Sequence, residues 1–284
     1  ISALVGGAAH FVEAVLRAHG REARWTWAAA LVGSTLLLAW PGLGNAPGRA
    51  TLEATDQPPA ILDTWWEGFE ALVAPTWLEQ LDPYFIGAWL VTSALMLIGL
   101  LGGLGRLRRR SETWPTHRIG VHEVLVSDDF GPALLGFRAP RIVVPRRLIE
   151  HPTDTLAVVC LHEAQHRAAR DTWLLGASAL VGTALPWNAG VWWQLMRLRG
   201  AVELDCDRRV LHAGVKPLEY AAILLNLGAH VEQSGMPVPA FLQRPPLLER
   251  RLTMLINNVR KLGTVPTLAA LAVSARLLVV ACQM

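Results

Sequence analysis

Charged side chains are scarce in this sequence. They make up 17% of 284 residues, while 52% are hydrophobic; ordinary soluble domains carry about 25% charged residues. The shortfall argues against a soluble globule and for a membrane protein. Cysteine is nearly absent as well. Cys160, Cys206 and Cys282 are too few and too scattered for a disulfide framework. Cys160 and Cys206 read as small buried packing residues. There are no internal repeats and no low-complexity tracts. The net charge of +3 comes without a helix-turn-helix or an aromatic stacking motif, so no direct nucleic-acid binding is expected.

What is present is a set of long uncharged runs. Residues 84–105 carry no charge, are long enough to cross a bilayer core and run straight into RLRRR at 106–110. Residues 25–43 form a second run with tryptophan near both ends, preceded by Arg17, Arg21 and Arg24. The segment from Thr264 to the end is a third candidate, interrupted by Arg276 and preceded by Arg260 and Lys261. Residues 1–16 are a fourth, although His10 and Glu13 lie inside it; a surface amphipathic helix is the alternative, and no cleavage site marks a signal peptide. Positively charged flanks face the cytoplasm. That rule puts 17–24, 106–110 and 260–261 inside. Loop 44–82, with seven acidic residues against Arg49 alone, falls outside. The expected organisation is therefore transmembrane helices over 1–110, a cytoplasm-facing domain over 111–262 and a last transmembrane helix over 263–284. The chain begins at Ile1 and ends inside an apolar run, which suggests a piece of a longer protein.

Residues 111–262 read as mixed α and β. VHEVLVS (121–127) and RIVVP (141–145) have strand composition, FGPALLGFRAP between them is turn-rich, and a helical pattern runs over 153–170. RIVVP is expected to lie at a sheet edge, where an extended peptide could pair with it.

The helical stretch contains His162-Glu163-Ala164-Gln165-His166. Positions i and i+4 of a helix share a face about 6 Å apart along the axis, so both imidazoles can reach one metal ion. Glu163, about 100° round the helix, can reach a water on that metal. This is the HExxH pattern of two zinc ligands and a general base. An ordinary polar helix face is a poor alternative, because Leu156, Val159 and Cys160 surround the motif and burying its polar groups without partners is costly.

Catalytic zinc needs a third protein ligand. AVELDCDRRVL (201–211) offers Glu203 and Asp207, again i and i+4. Glu203 is expected to bind zinc and Asp207 to accept a hydrogen bond from a ligand histidine, with Asp171 a further candidate for that role. Tyr220, His212 and Arg208 are all candidates to stabilise an oxyanion. Helix ERRLTMLINN (249–258) is apolar and basic, and its arginines are expected to meet lipid headgroups or solvent. Trp65-Trp66 is a weak candidate for ligand contact on the outer loop.

HEAQHRAARD, PWNAGVWW and ELDCDRRVL, preceded by GFRAPRIVVP, together resemble the BlaR/MecR-type family of membrane metallopeptidases. The resemblance covers most of the chain and is most specific over 136–211. It implies a membrane α-helical protein of three to four transmembrane helices, with an inserted α+β zincin-like (gluzincin) metallopeptidase domain. One Zn2+ per chain would be held by His162, His166 and Glu203, with Glu163 as the base. It further implies a bacterial-type inner membrane, a protein substrate such as a cytosolic transcriptional repressor, regulated proteolysis with self-cleavage, and a possible homodimer. Known members continue into an extracellular sensor after the last span. These 284 residues leave no room for one, so β-lactam sensing is not carried over as an expectation. Two other readings stand beside this one. One is a non-proteolytic transducer or scaffold retaining the fold. The other is a CAAX-type housekeeping protease, whose two full spans between zinc motifs the 36 residues between His166 and Glu203 do not comfortably hold.

One geometric condition follows. Residues 172–193 are uncharged and long enough to span. A single crossing would separate His162 from Glu203, so the stretch is expected to turn back at Pro186-Trp187-Asn188. The result is a membrane-associated hairpin over 172–195, lying at the surface or in a shallow dip.

Overall fold

The computed structural model describes residues 1–39, 82–150, 153–233, 245–256 and 263–283. The acidic loop, apart from Asp82, and Trp65-Trp66 lie outside them. The described chain is mostly helical, with one small sheet.

The sheet is built from β1 (Thr116–Ile119), β2 (His122–Ser127), β3 (Ala133–Leu135) and β4 (Arg141–Pro145), in the order β1-β2-β4-β3. β1–β2 and β3–β4 are antiparallel, and β2–β4 is parallel, pairing Val124 with Ile142 and Val126 with Val144. The two-residue connection between β1 and β2 needs a positive φ at its first position, which Gly120 supplies (φ +56). β2 and β4 are buried on consecutive residues, Val124 to Ser127 and Ile142 to Pro145. Continuous burial marks strands covered on both sides. This corrects the expectation for RIVVP: β4 is central, hydrogen-bonded on both edges, and cannot take a further strand. The turn-rich stretch before it contains β3, a short strand whose only partner in the sheet is β4.

After the short α4 (Arg146–Ile149), α5 (Thr153–Ala168) lies on this sheet. Leu156, Val159 and Cys160, at i, i+3 and i+4, face Val124, Ile142 and Val144 in one core. This orientation turns His162, Glu163 and His166 toward the helices that follow.

Those helices are α6 (Asp171–Ala184), α7 (Ala189–His212), α8 (Pro217–Gln233) and α9 (Pro245–Ile256). The stretch over 172–195 does reverse, at Leu185 to Asn188. Asn188 caps α7 by accepting from Val191 N at 3.0 Å, and its amide donates to Ser2 Oγ at 3.0 Å. Glu203 thereby returns to the side of His162.

α1 (Ser2–Ala18), α2 (Arg24–Ala39) and α10 (Thr264–Gln283) pack with α7 around Val5, Ala9, Trp27, Leu31, Val191, Leu198, Val202 and Ala281. Gly6 lets α1 and α7 approach, since a Cβ there would overlap the Trp193 ring. α3 (Asp82–Ser111) and α10 are, among the described residues, the two helices long and apolar enough to cross a membrane. α1 and the described part of α2 are shorter, at 17 and 16 residues.

Candidate metal centre

α5 supplies two imidazoles whose Nε2 atoms face each other at 3.1 Å. Each ring is held from behind. His166 Nδ1 meets Asp171 Oδ2 at 2.8 Å. His162 Nδ1 meets the Tyr220 hydroxyl at 2.8 Å, and that hydroxyl donates to Asp207 Oδ1 at 2.6 Å. With its proton directed to Asp207, the Tyr220 oxygen accepts from His162. Both rings then carry their proton on Nδ1, leaving two Nε2 lone pairs pointed at one another. Such an arrangement calls for a cation between them. Two tetrahedral zinc ligands at 2.0–2.1 Å from the ion lie about 3.3 Å apart, close to the spacing found.

The third side is closed by α7. Glu203 Oε2 is 3.7 Å from His162 Nε2, and Oε1 is 3.8 Å from His166 Nε2. Cys206, one turn on, also belongs to the cluster: its thiol and the two imidazoles offer ligand atoms within 4.8 Å of one another. Its Sγ lies 3.4 Å from His162 Nδ1 and from the His162 carbonyl, on the side of the ring that Tyr220 holds, and it interacts with His166 as well. Glu203 faces the Nε2 side. Either residue could be a third donor; the carboxylate is partly exposed and the thiol is fully buried.

The electrostatics agree with a cation site. Burial pulls both imidazoles toward neutrality. Bonding to Cys206 and Glu203 outweighs it and pushes His162 up to about 9. Bonding to Asp171 and Cys206, with the Glu203 charge, takes His166 up to about 11. Burial would raise Glu203, yet Arg251 and the two imidazoles hold it well below the usual carboxylate range. Cys206 is lowered despite burial by the same two rings. Glu163, 7% exposed, goes the other way: burial raises it and the imidazoles only partly offset this. The acidic groups around the two rings favour positive charge on or between them, even with Arg251, Arg24 and Arg209 beside those carboxylates.

Asp171 reaches its position through local backbone geometry. Arg170, between α5 and α6, is the one non-glycine residue with positive φ (57°) among the described residues. That left-handed step starts α6 at Asp171 and swings its carboxylate back to His166. Asp171 also accepts from Arg24 Nη1 at 2.5 Å and Arg209 Nη2 at 3.1 Å.

The structure thus brings His162, Glu163, His166, Glu203, Asp207 and Asp171 together, with two changes of role. Asp171 touches a histidine directly. Asp207 Oδ1, 3.7 Å from His162 Nδ1, acts through Tyr220. Of the oxyanion candidates, Tyr220 is fully engaged by His162 and Asp207. Arg208 donates to the carbonyls of Arg21 at 2.7 Å and Arg17 at 3.3 Å, closing the end of α1. His212 is exposed in the last turn of α7.

Sequence reasoning missed Arg251. Its side chain is 14% exposed, not turned to lipid or solvent. Nε and Nη2 form a fork on Asp207 at 2.8 and 2.7 Å, and Nη1 lies 3.2 Å from Glu203 Oε2. A signal existed: Arg251 is three residues after Leu248 and four before Leu255, both of which pack on the core, so it lies on the apolar face of α9.

Comparison with known proteins gives the same region. Residues 116–255 match the model of the BlaR1 peptidase M56 family. The chain is also similar to the regulatory protein BlaR1 of Bacillus licheniformis, 20% identical over 215 residues, covering 68% of this chain and 36% of that protein. It spans about a third of that relative's length.

Proposed function

Residues 116–255 form a peptidase domain of the BlaR/MecR-type family, and from that premise we propose that the chain is an integral-membrane zinc endopeptidase. It binds one Zn2+ per chain through His162, His166 and Glu203, and Glu163 is its general base. The observation that carries this reading is the pair of opposed Nε2 atoms, 3.1 Å apart, each on a ring whose other nitrogen is already engaged. Glu203 is preferred over Cys206 because its oxygens approach both Nε2 atoms, leaving one coordination position for water and substrate.

When bound, zinc supplies an acidified water and polarises the scissile carbonyl. This chain's residues do the rest. Asp171, and Asp207 through Tyr220, keep the imidazoles in the ligating tautomer. Glu163, raised by burial, takes a proton from water and returns it to the leaving amine. β3, paired on one edge only and lying against α5, is the strand on which an extended substrate peptide would add.

The membrane disposition rests on α3 and α10, both uncharged over bilayer-length windows save for Arg276 in α10. It also rests on the arginines at the near ends of α1, α2 and α3. Arg24, at the start of α2, touches Asp171, so the metal centre lies at the arginine-rich end, which is cytoplasmic by the positive-inside rule. A cytosolic or membrane-proximal protein, such as a repressor in regulated proteolysis, is the substrate class this supports.

The test is zinc content and peptidase activity of the detergent-purified chain, with Glu163→Gln and Glu203→Ala. We expect about one zinc per wild-type chain, retained in Glu163→Gln with cleavage down about 10²–10⁴-fold, and lost in Glu203→Ala. Wild type without zinc sinks the peptidase reading and favours a non-catalytic transducer.

A further inference from the structure

Arg251 does more than neutralise charge beside the metal centre. Its guanidinium touches both carboxylates of α7. The Nε/Nη2 edge grips Asp207, which holds Tyr220 and through it His162. Nη1 is left facing Glu203 Oε2 at 3.2 Å. One rigid group therefore fixes the bond network behind one histidine and one oxygen of the carboxylate opposite. A lysine has a single nitrogen and cannot make this three-point contact.

Resting on the zinc reading above, we propose that Arg251 is a positioning residue. By occupying Oε2 of Glu203 it leaves Oε1 alone for the metal, so that the carboxylate binds through one oxygen and a coordination position stays open. Carboxylates bind metals through one oxygen or two, and a catalytic zinc site depends on the open place. The other charged group that meets Glu203 Oε2, His162 Nε2 at 3.7 Å, is itself a ligand in that reading and cannot do this. The backing is firm. Arg251 rises from an α9 whose Leu248, Leu252 and Leu255 are packed against Val210, Tyr220 and Leu224. The next residue along the chain on its N-terminal side, Arg250, pairs with Glu13 of α1 at 3.5 Å.

The test is cobalt substitution, read by visible absorption, which reports coordination number without turnover. Wild type, Arg251→Lys and the double variant Asp207→Asn/Arg251→Met are compared; the double variant removes the buried charge together with its partner, so it leaves no orphaned carboxylate at position 207. Wild type is expected to give the intense bands of four-coordinate cobalt. Both variants should still bind one cobalt, with bands that lose most of their intensity as Glu203 chelates through both oxygens. Adding Glu203→Gln to the double variant, which replaces one carboxylate oxygen with an amide nitrogen that cannot ligate, should abolish that weakened five-coordinate spectrum. Wild-type bands in both variants would overturn the positioning role while leaving the zinc reading intact. Wild type that takes up no cobalt would overturn the zinc reading itself, and this inference with it.

Discussion

At the residue scale, the ELDCDRR stretch of α7 assigns nearly every polar side chain to a different neighbour. Glu203 faces the Nε2 atoms, Asp207 holds Tyr220 and Arg251, and Arg209 reaches Asp171. Asp205 Oδ2 accepts from the backbone N–H groups of Ala23 and Arg24, both at 2.9 Å, and so caps α2 from another helix. Seven residues in sequence thus join the metal centre to the N-terminal helices. Tyr220→Phe isolates one of these links: it removes the hydroxyl that orients His162 and changes no ligand. We expect zinc affinity to fall about 10–100-fold, measured by competition with a chelator, with the fold unchanged by circular dichroism. An affinity equal to wild type would show that Tyr220 does not set the ring's orientation.

At the element scale, α1 is explained by what meets its one buried carboxylate. Glu13 is 2% exposed and accepts from Arg17 at 2.7 Å, Arg197 at 2.5 Å and Trp27 Nε1 at 3.0 Å. A charge that looked awkward in a candidate span is the point where α1, α2 and α7 lock together. Removing it leaves buried guanidinium groups without a partner, so Glu13→Gln should destabilise the chain by about 3 kcal/mol or more. The check is the denaturation midpoint in detergent, where a shift within error would count against this role. The α5–α6 joint makes a second case. Arg170 sits in a conformation that L side chains rarely adopt. Arg170→Gly should be neutral or slightly stabilising, whereas Arg170→Val should cost about 1–2 kcal/mol. It should also weaken zinc binding, because Asp171 depends on that turn.

At the scale of the whole molecule, the α6–α7 hairpin decides whether a site exists at all. Thr113 and His212 are exposed on either side of it in sequence. In a Cys282→Ser background, Thr113→Cys and His212→Cys should both react with a membrane-impermeant thiol reagent from the cytoplasmic face of inverted vesicles. Labelling from opposite faces would mean that 172–193 crosses once, and the metal centre could not form in the membrane. Chelator treatment should lower the unfolding temperature of wild type more than that of Glu203→Ala, because a ligand bound only by the folded state stabilises that state.

Much of this was legible in the chain itself. The helical spacing of His162, Glu163 and His166, the return of carboxylates at Glu203 and Asp207, and the turn at Pro186-Trp187-Asn188 are all local patterns, and local patterns are set by backbone periodicity. The apolar runs at 84–105 and after Thr264 are likewise a matter of composition alone. What only the tertiary structure decided was partnership between distant elements. The sequence could not say that β4 lies inside the sheet rather than at its edge, because strand order depends on which segments meet. Nor could it say that Tyr220 stands between Asp207 and His162, or that Arg251 turns inward to two carboxylates 44 and 48 positions before it. A buried charge is stable only where its partners converge, and that convergence is a property of the folded chain.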